Sequence, residues 1–416
     1  QTVVEAVEAA SPGDDIVLKG GVYWENITVD KPLNITGQGA GTEIQARSVF
    51  ALHLAGDGIN LSSMKVTGGS HSIYITGGNC TVRDVHQSGS IRGLHMVGAH
   101  NCTVEDCQFL SNSYTGIGMY DRSVDNKFRN ITCTDNSAFG IDVFTWSSRN
   151  EFRECWLRGN NNAGILINGW SDDCTVIDCV VSDHRGPGVS VFRASRTSII
   201  NVTSWGSETH FGIHVGSDTD GSLVSNCTAY FNHLGGIKLY GERGGAVEDC
   251  LAYGNDGEGI LVEISQDVEV TGCTADSNEL HGILLSDSVR LTVRDCVVTD
   301  NRRGVGLTSG VAWGNVTHND IVDNTLEGIS ALDAAEVMFH HNNLLGNNYD
   351  PIRMTYRGRQ AEDGSTANSW DDGSEGNHWS DYGVWYPDAT VTGKVWDTPY
   401  ALPGGGKAED TRPLAL

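Results

Sequence analysis

A cysteine returns every 23 residues at Cys227, Cys250, Cys273 and Cys296, and five residues after each stands an asparagine, at Asn232, Asn255, Asn278 and Asn301. A Gly-Ile or Gly-Val step then follows, at Gly236-Ile237, Gly259-Ile260, Gly282-Ile283 and Gly304-Val305. The cysteine column runs on in both directions, through Val85, Cys107, Ile131, Cys155, Cys179 and Val202 on one side and Asn319 and Asn342 on the other, in steps of 22 to 25 residues. Equivalent positions at near-constant spacing specify a chain wound on copies of itself.

Within each repeat, apolar and polar residues alternate with the period of a strand, not of a helix. In Gly212-Ile213-His214-Val215-Gly216, Ile213 and Val215 share one face and His214 the other, and Ile237-Lys238-Leu239-Tyr240 repeats the pattern. The period is too short for paired-helix arrays, and the leucine-rich signature is absent. It suits three short strands and three bends per turn. The expected fold is all-β: a single-stranded right-handed parallel β-helix of about 14 coils, spaced about 4.8 Å as in any sheet, making a rod of about 65 Å. An inward cysteine column fills a narrow interior with small apolar-like side chains. The asparagines are expected at bends, in left-handed backbone, each bonding its counterpart one coil away.

Open coils need lids. Residues 1–15 are expected to form a helical N-terminal cap, 16–350 the β-helix, and 351–416 a C-terminal cap rich in Gly and Trp, which holds Trp370, Trp379, Trp385 and Trp396. One elongated domain is expected despite the 416-residue length.

The formal net charge of −26 argues against nucleic acid and anionic membrane surfaces as partners. No apolar run reaches the length of a membrane span, so no membrane insertion is expected. Nine Asn-x-Ser/Thr sequons, at Asn26, Asn34, Asn60, Asn79, Asn101, Asn130, Asn201, Asn226 and Asn315, make a glycoprotein conceivable if the chain is secreted, with some sequons expected to be buried. The 11 cysteines contain no C-x-x-C pair, which opposes a metal centre; stacked coils allow disulfides, but reduced, buried packing is the expectation.

Chemistry on a β-helix belongs to outward columns. The residue after the Gly-Ile step gives Gly118, Asp142, Leu166, Ser190, His214, Lys238, Leu261 and Leu284, and two residues on stand Tyr120, Phe144, Asn168, Phe192, Gly216, Tyr240, Glu263 and Ser286. His214 as base, Lys238 as the cation facing a uronate carboxylate and Tyr240 beside them fit a polysaccharide lyase, with Asp142 as a further catalytic candidate. A glycoside hydrolase instead needs two carboxylates, and Asp142 lies too many coils from Asp218 or Asp220 to pair. Tyr120, Arg122, Phe144, Trp146, Trp170, Phe192, Arg193 and Glu242 are the expected sugar-binding strip: rings stack on sugar faces and charges bond hydroxyls or uronates. Asp218-Thr219-Asp220-Gly221 offers half a calcium loop, and Asp371, Asp372 and Glu375 a second acidic set, so calcium is the one cofactor suggested.

Three segments resemble a known family. Ala6 to Asp14 with Gly21-Val22-Tyr23 and Glu25-Asn26 resembles the start of pectate-lyase-like β-helix proteins. The N-x-x-x-x-G-I repeat is similar to the NosD type, the carbohydrate-binding and sugar-hydrolase group. The ending, Gly376-Asn377-His378-Trp379-Ser380-Asp381-Tyr382, then Asp397-Thr398-Pro399-Tyr400 and Asp410 to Leu414, resembles that of archaeal secreted members. The resemblance implies a secreted or cell-surface protein that binds or processes polysaccharide. Its alternatives are a structural surface-layer or adhesion protein, self-assembling or docking a surface partner, and an accessory factor for periplasmic metalloenzyme maturation. Phe139-Gly140-Ile141-Asp142 also resembles the Y-G-F-D-P-H motif of alginate C5-epimerases, with Phe for the Tyr and Val143-Phe144 for the Pro-His.

Overall fold

The alternation of apolar residues is resolved as short strands, most of them three to six residues long, every successive turn adding one rung. A computed structural model describes residues 2–365 and 367–415. The chain is an all-β, right-handed parallel solenoid of about 14 turns with very little helix, as the periodicity predicts. Its contacts gather into two compact units, residues 1–208 and 209–416.

In the first unit, Thr2 caps the helix Val3–Ala9 through a reciprocal bond with Glu5, and Val3 and Val7 are buried beneath it. The strands Ile27–Val29, Phe50–Leu54, His71–Ile75, Arg92–Val97, Thr115–Tyr120, Phe139–Val143, Ile165–Ile167 and Val189–Phe192 then pair in parallel, each with the next. In the second, Phe211–Asp220, Gly235–Arg243, Glu258–Glu263, His281–Ser286 and Arg303–Thr308 do the same. From Thr103 onward the other two strands of each regular turn sit only two residues apart, as Ala246–Glu248 and Leu251–Tyr253 do.

All eleven cysteines are buried, and none is in a disulfide. Most of the thiols donate to a carbonyl of the preceding turn, for example Cys250 to Val224 at 3.4 Å and Cys273 to Val247 at 3.4 Å. The asparagines form a buried ladder: the Asn255 amide donates to Asn278 Oδ1 and Asn278 to Asn301 Oδ1, both at 2.9 Å. In the first unit the same ladder runs Asn112, Asn136, Asn160 and then breaks its pattern, because Asn160 N donates to His184 Nδ1 at 3.0 Å. One expectation is corrected. The left-handed residue is not the ladder asparagine but its predecessor, at Phe231, Gly254, Ser277 and Asp300. The asparagine stays outside the left-handed region with its side chain bonded to the next turn, and the bend is made one residue earlier. Of the nine sequons, seven are exposed and none is buried, which corrects the expectation that some would be.

The C-terminal tail ends these columns. Asn342 donates to Asn377 Oδ1 at 2.9 Å and Asn347 to Gln360 Oε1 at 3.3 Å. Trp370 stacks on Phe339 at 4.3 Å and Trp379 on Tyr400 at 4.0 Å, all four rings buried. Each indole N–H finds a carboxylate, Trp370 to Asp363 at 2.7 Å and Trp379 to Asp410 at 2.9 Å. The buried residues of this ending therefore have structural roles.

Candidate functional site

Strand register lines up outward positions of the first unit in one column: Thr28, His53, Tyr74, His95, Gly118, Asp142, Leu166 and Ser190. A second column three residues earlier carries Phe50, His71 and Arg92. The rings pack rung on rung: His53 on Tyr74 at 4.7 Å, Tyr74 on His95 at 5.3 Å, and His71 on His95 at 4.2 Å.

Gly118 then leaves a gap, which Tyr120 fills. A Cβ at Gly118 would meet the Tyr120 ring at 2.7 Å, so only glycine lets that ring lie back across the column. There it meets His95 edge-on at 5.3 Å, and its hydroxyl donates to Asp142 Oδ2 at 2.5 Å. The Arg92 guanidinium lies 5.0 Å from the Tyr114 ring centroid and 5.7 Å from that of Tyr120, and its buried Nε has no hydrogen-bond partner. Burial raises the Asp142 carboxyl above its ordinary value, with Tyr120 and Arg92 opposing. Burial and the Asp142 charge hold the Tyr120 phenol protonated. Burial, then His71 and Arg92, pull the His95 imidazole down to about 3, so it is neutral. The cluster thus holds a guanidinium with free valence, a neutral imidazole and a phenol–carboxylate couple.

Beyond it, Phe144 is 41% exposed, and Trp146 and Trp170, 51% and 54% exposed, stack at 5.8 Å and 17°. Arg122, Trp146 and Trp170 occupy equivalent left-handed turn positions, with φ of 65°, 56° and 61°. Left-handed backbone is costly for a bulky side chain. Here it turns two indoles outward side by side instead of into the core. Phe192 is half-buried, and Arg193 is exposed with φ 48°.

In the second unit, His214 pairs in register with Lys238 and Gly216 with Tyr240, so the three residues expected together are together. Their charges differ from the expectation. Lys238 Nζ is tied to Glu263 Oε2 at 2.7 Å and lies 5.1 Å from the Tyr240 ring, so its cation is already neutralised. His214 is 9% exposed, and burial, with Lys238 and His210, brings its imidazole to about 3. Glu242 requires correction as a sugar contact. It is fully buried, takes a rung of the interior turn column with Ser265 and Ser288, and accepts from Ser222 N at 2.9 Å. Asp218 and Asp220, the residues of the calcium reading, are both exposed, and among the described residues three or more His, Cys, Asp or Glu donors converge only at His340, His341 and Asp372.

Sequence reasoning missed His53, Tyr74, His71, Arg92 and His95. Their signal was an apolar–ring–apolar triplet, Leu52-His53-Leu54, Ile73-Tyr74-Ile75 and Leu94-His95-Met96, repeating at 21 residues where the Gly-Ile step is absent.

Solved structures of similar fold include a periplasmic alginate epimerase mutant (14% identity, 78% of each chain, TM-score 0.52) and the pre-mature gene product 12 of bacteriophage phi29 (12% identity, 83% of this chain and 66% of that one, TM-score 0.52). The pectate lyase Pel9A also matches (15% identity, 66% of this chain and 73% of that one, TM-score 0.41). No curated protein sequence matches significantly. At such identities the likeness is one of fold. The family model for the right-handed β-helix region matches residues 32–181 and 169–313, more than half of the sequence, and the chain belongs to that family.

Proposed function

We propose that this protein binds an acidic polysaccharide along the outward face of residues 1–208 and acts on its uronate units by removing the proton next to the carboxylate. The observation that carries this is the Tyr120–Asp142 couple, closed at 2.5 Å beside an Arg92 guanidinium that no described carboxylate pairs with. Arg92 pairs with the substrate carboxylate and stabilises the charge that develops as the adjacent carbon loses its proton. That proton passes to the Tyr120 oxygen while the phenolic proton passes to Asp142, whose raised affinity for it is set by burial. His95, neutral and edge-on, holds the tyrosine ring in place. Return of a proton from the opposite face gives an epimerase, and departure of the neighbouring glycosidic oxygen gives a lyase. A hydrolase is disfavoured, because Asp142 is the only carboxylate of the column. Trp146, Trp170, Phe144 and Arg122 extend the binding strip.

An alginate epimerase among the proteins of similar fold is in keeping with this reading. We extend it to a NosD-type, archaeal secreted or cell-surface protein on the strength of the ending from Gly376 to Leu414, and place the activity outside the cytoplasm, where such polymers lie. Among the described residues no helix is long and apolar enough to cross a membrane.

The test is incubation of the protein with a panel of uronate polymers in deuterated water. Deuterium at the carbon next to the carboxylate, or ultraviolet absorbance from unsaturated uronates, is expected and is lost in Asp142→Asn. Neither signal on any polymer refutes the reaction. Polymer binding that survives that result leaves a binding protein without catalysis.

A further inference from the structure

We infer that His340, His341 and Asp372 form a binding site for a divalent transition metal of the zinc class, which fastens the C-terminal tail to the strand Met338–His340. Their donor atoms lie within 4.8 Å of one another, and the argument for a built site rests on how each is held.

Neighbouring residues on a strand point to opposite faces, so His340 and His341 would ordinarily diverge. His341 has φ 56°, the left-handed turn conformation that His318 adopts one rung earlier at 58°. That bend swings the His341 ring to the side of His340, and the two Nδ1 atoms stand 2.7 Å apart. The His318 ring backs His341 at 4.8 Å and 2°, fixing its plane.

The second observation concerns the far nitrogen. His341 Nε2 meets Glu375 Oε2 at 3.1 Å. A carboxylate there holds the proton on Nε2 and leaves the Nδ1 lone pair facing His340, the arrangement that orients ligating histidines. Asp372 is fixed as well. Its Oδ1 accepts from Ser374 N at 2.8 Å, Ser374 Oγ at 2.7 Å and Glu375 N at 2.8 Å. Among the described residues every hydrogen bond to that carboxylate falls on Oδ1, leaving Oδ2 as the ligand atom.

Two imidazoles and one carboxylate suit zinc, cobalt or nickel and not calcium or magnesium, which prefer oxygen sets. Three protein ligands leave one tetrahedral position for water. Because the histidines lie in and just after Met338–His340 whereas Asp372 and Glu375 lie in the tail, the ion joins two segments that the chain separates by about thirty residues.

The experiment titrates the chelator-stripped full-length protein with cobalt chloride and with zinc chloride. One cobalt per chain with the visible absorption of a four-coordinate site is expected, displaced by zinc, together with a rise in Tm. His340→Ala and His341→Ala should each lose that absorption and the Tm rise, whereas His86→Ala, at an exposed histidine, keeps both. Asp372→Asn, which retains the turn bonds, should weaken cobalt binding at least tenfold. Absence of cobalt absorption in the wild type, or absorption unchanged in both histidine variants, overturns the site; circular dichroism of each variant separates lost binding from lost fold. Calcium chloride should change nothing, and calcium-dependent stabilisation would also overturn it.

Discussion

The outward columns of the two units are built on the same register but leave their charges in opposite states. In residues 1–208 the column is a run of imidazole and phenol rings ending at Asp142, and Arg92 has no carboxylate partner among the described residues. In residues 209–416 the matching cations are satisfied internally, Lys238 by Glu263 at 2.7 Å and Arg303 by Glu327 at 3.2 Å, and the column turns apolar at Leu261 and Leu284. A cation already paired has little to offer an acidic polymer, whereas an unpaired one beside a buried carboxylate is expensive to keep. The difference points to the first column as the one shaped for a ligand and the second as the one shaped for stability.

The strongest way to break that comparison is to remove chemistry from each column in turn. Tyr120→Phe or Asp142→Asn should lower turnover of a uronate polymer by about 10²–10⁴-fold, the range for loss of a proton-transfer group, while Lys238→Met leaves it within about twofold. The reverse pattern in kcat/KM would move the site to the second unit.

The asparagine ladders give the next contrast. His184 stands where the pattern calls for asparagine. Burial brings its imidazole down to about 4, and its Nε2 is buried without a partner. The unfolded chain binds a proton there near pH 6.5 and the folded one does not until about pH 4. The stability this group contributes is therefore intact above pH 6.5 and lost as pH falls through that window, by about 3 kcal/mol. His184→Asn should restore the ladder and flatten acid unfolding between pH 6.5 and 4, measured by denaturant titration at each pH; an unchanged slope would show that His184 does not set it.

In the regular ladder of the second unit, Asn278→Ala strands the Asn255 N–H and amide that donate to it at 3.2 and 2.9 Å. A cost of about 2–3 kcal/mol is expected in equilibrium unfolding, since buried donors left unsatisfied carry the penalty.

The smallest effect belongs to the indole pair. Trp170→Ala should weaken polymer binding by about 1–2 kcal/mol, roughly tenfold in Kd by calorimetry, through lost apolar contact area. Trp313→Ala, at an exposed indole in the second unit, should leave Kd unchanged. Equal losses would show that the surface binds through scattered aromatics and not through one strip.

The repeat was legible because its causes are local. A thiol, a carboxamide and a glycine are each needed at one place in every turn, so Cys227, Asn232 and Gly236 announce themselves by spacing. The ligand column was only half legible. Asp142 and Tyr120 follow the Gly-Ile step, but His53, Tyr74 and His95 sit in turns of 21 residues with no such marker, and Arg92 belongs to a column offset by three. Glu242 was misread because a charged residue in a turn ordinarily faces water. Its place between Thr219 and Ser265 in register, a column of small hydroxyls, shows that it points inward. Charge pairing is a property of neighbouring turns, so no single repeat reveals that Lys238 is spent on Glu263.

Eleven buried sulfhydryls outside any disulfide have a consequence for how this chain is held together. A scaffold closed by bridges is committed to oxidising surroundings, and one held by thiolates to metal supply. Here sulfur serves as a small greasy filler whose hydrogen reaches for a backbone oxygen, with burial pushing the Cys107 and Cys174 thiols up to about 12, out of reach of ordinary oxidants and alkylators. No bridge holds the winding, so a reductant added in the test tube should leave its melting point where it was.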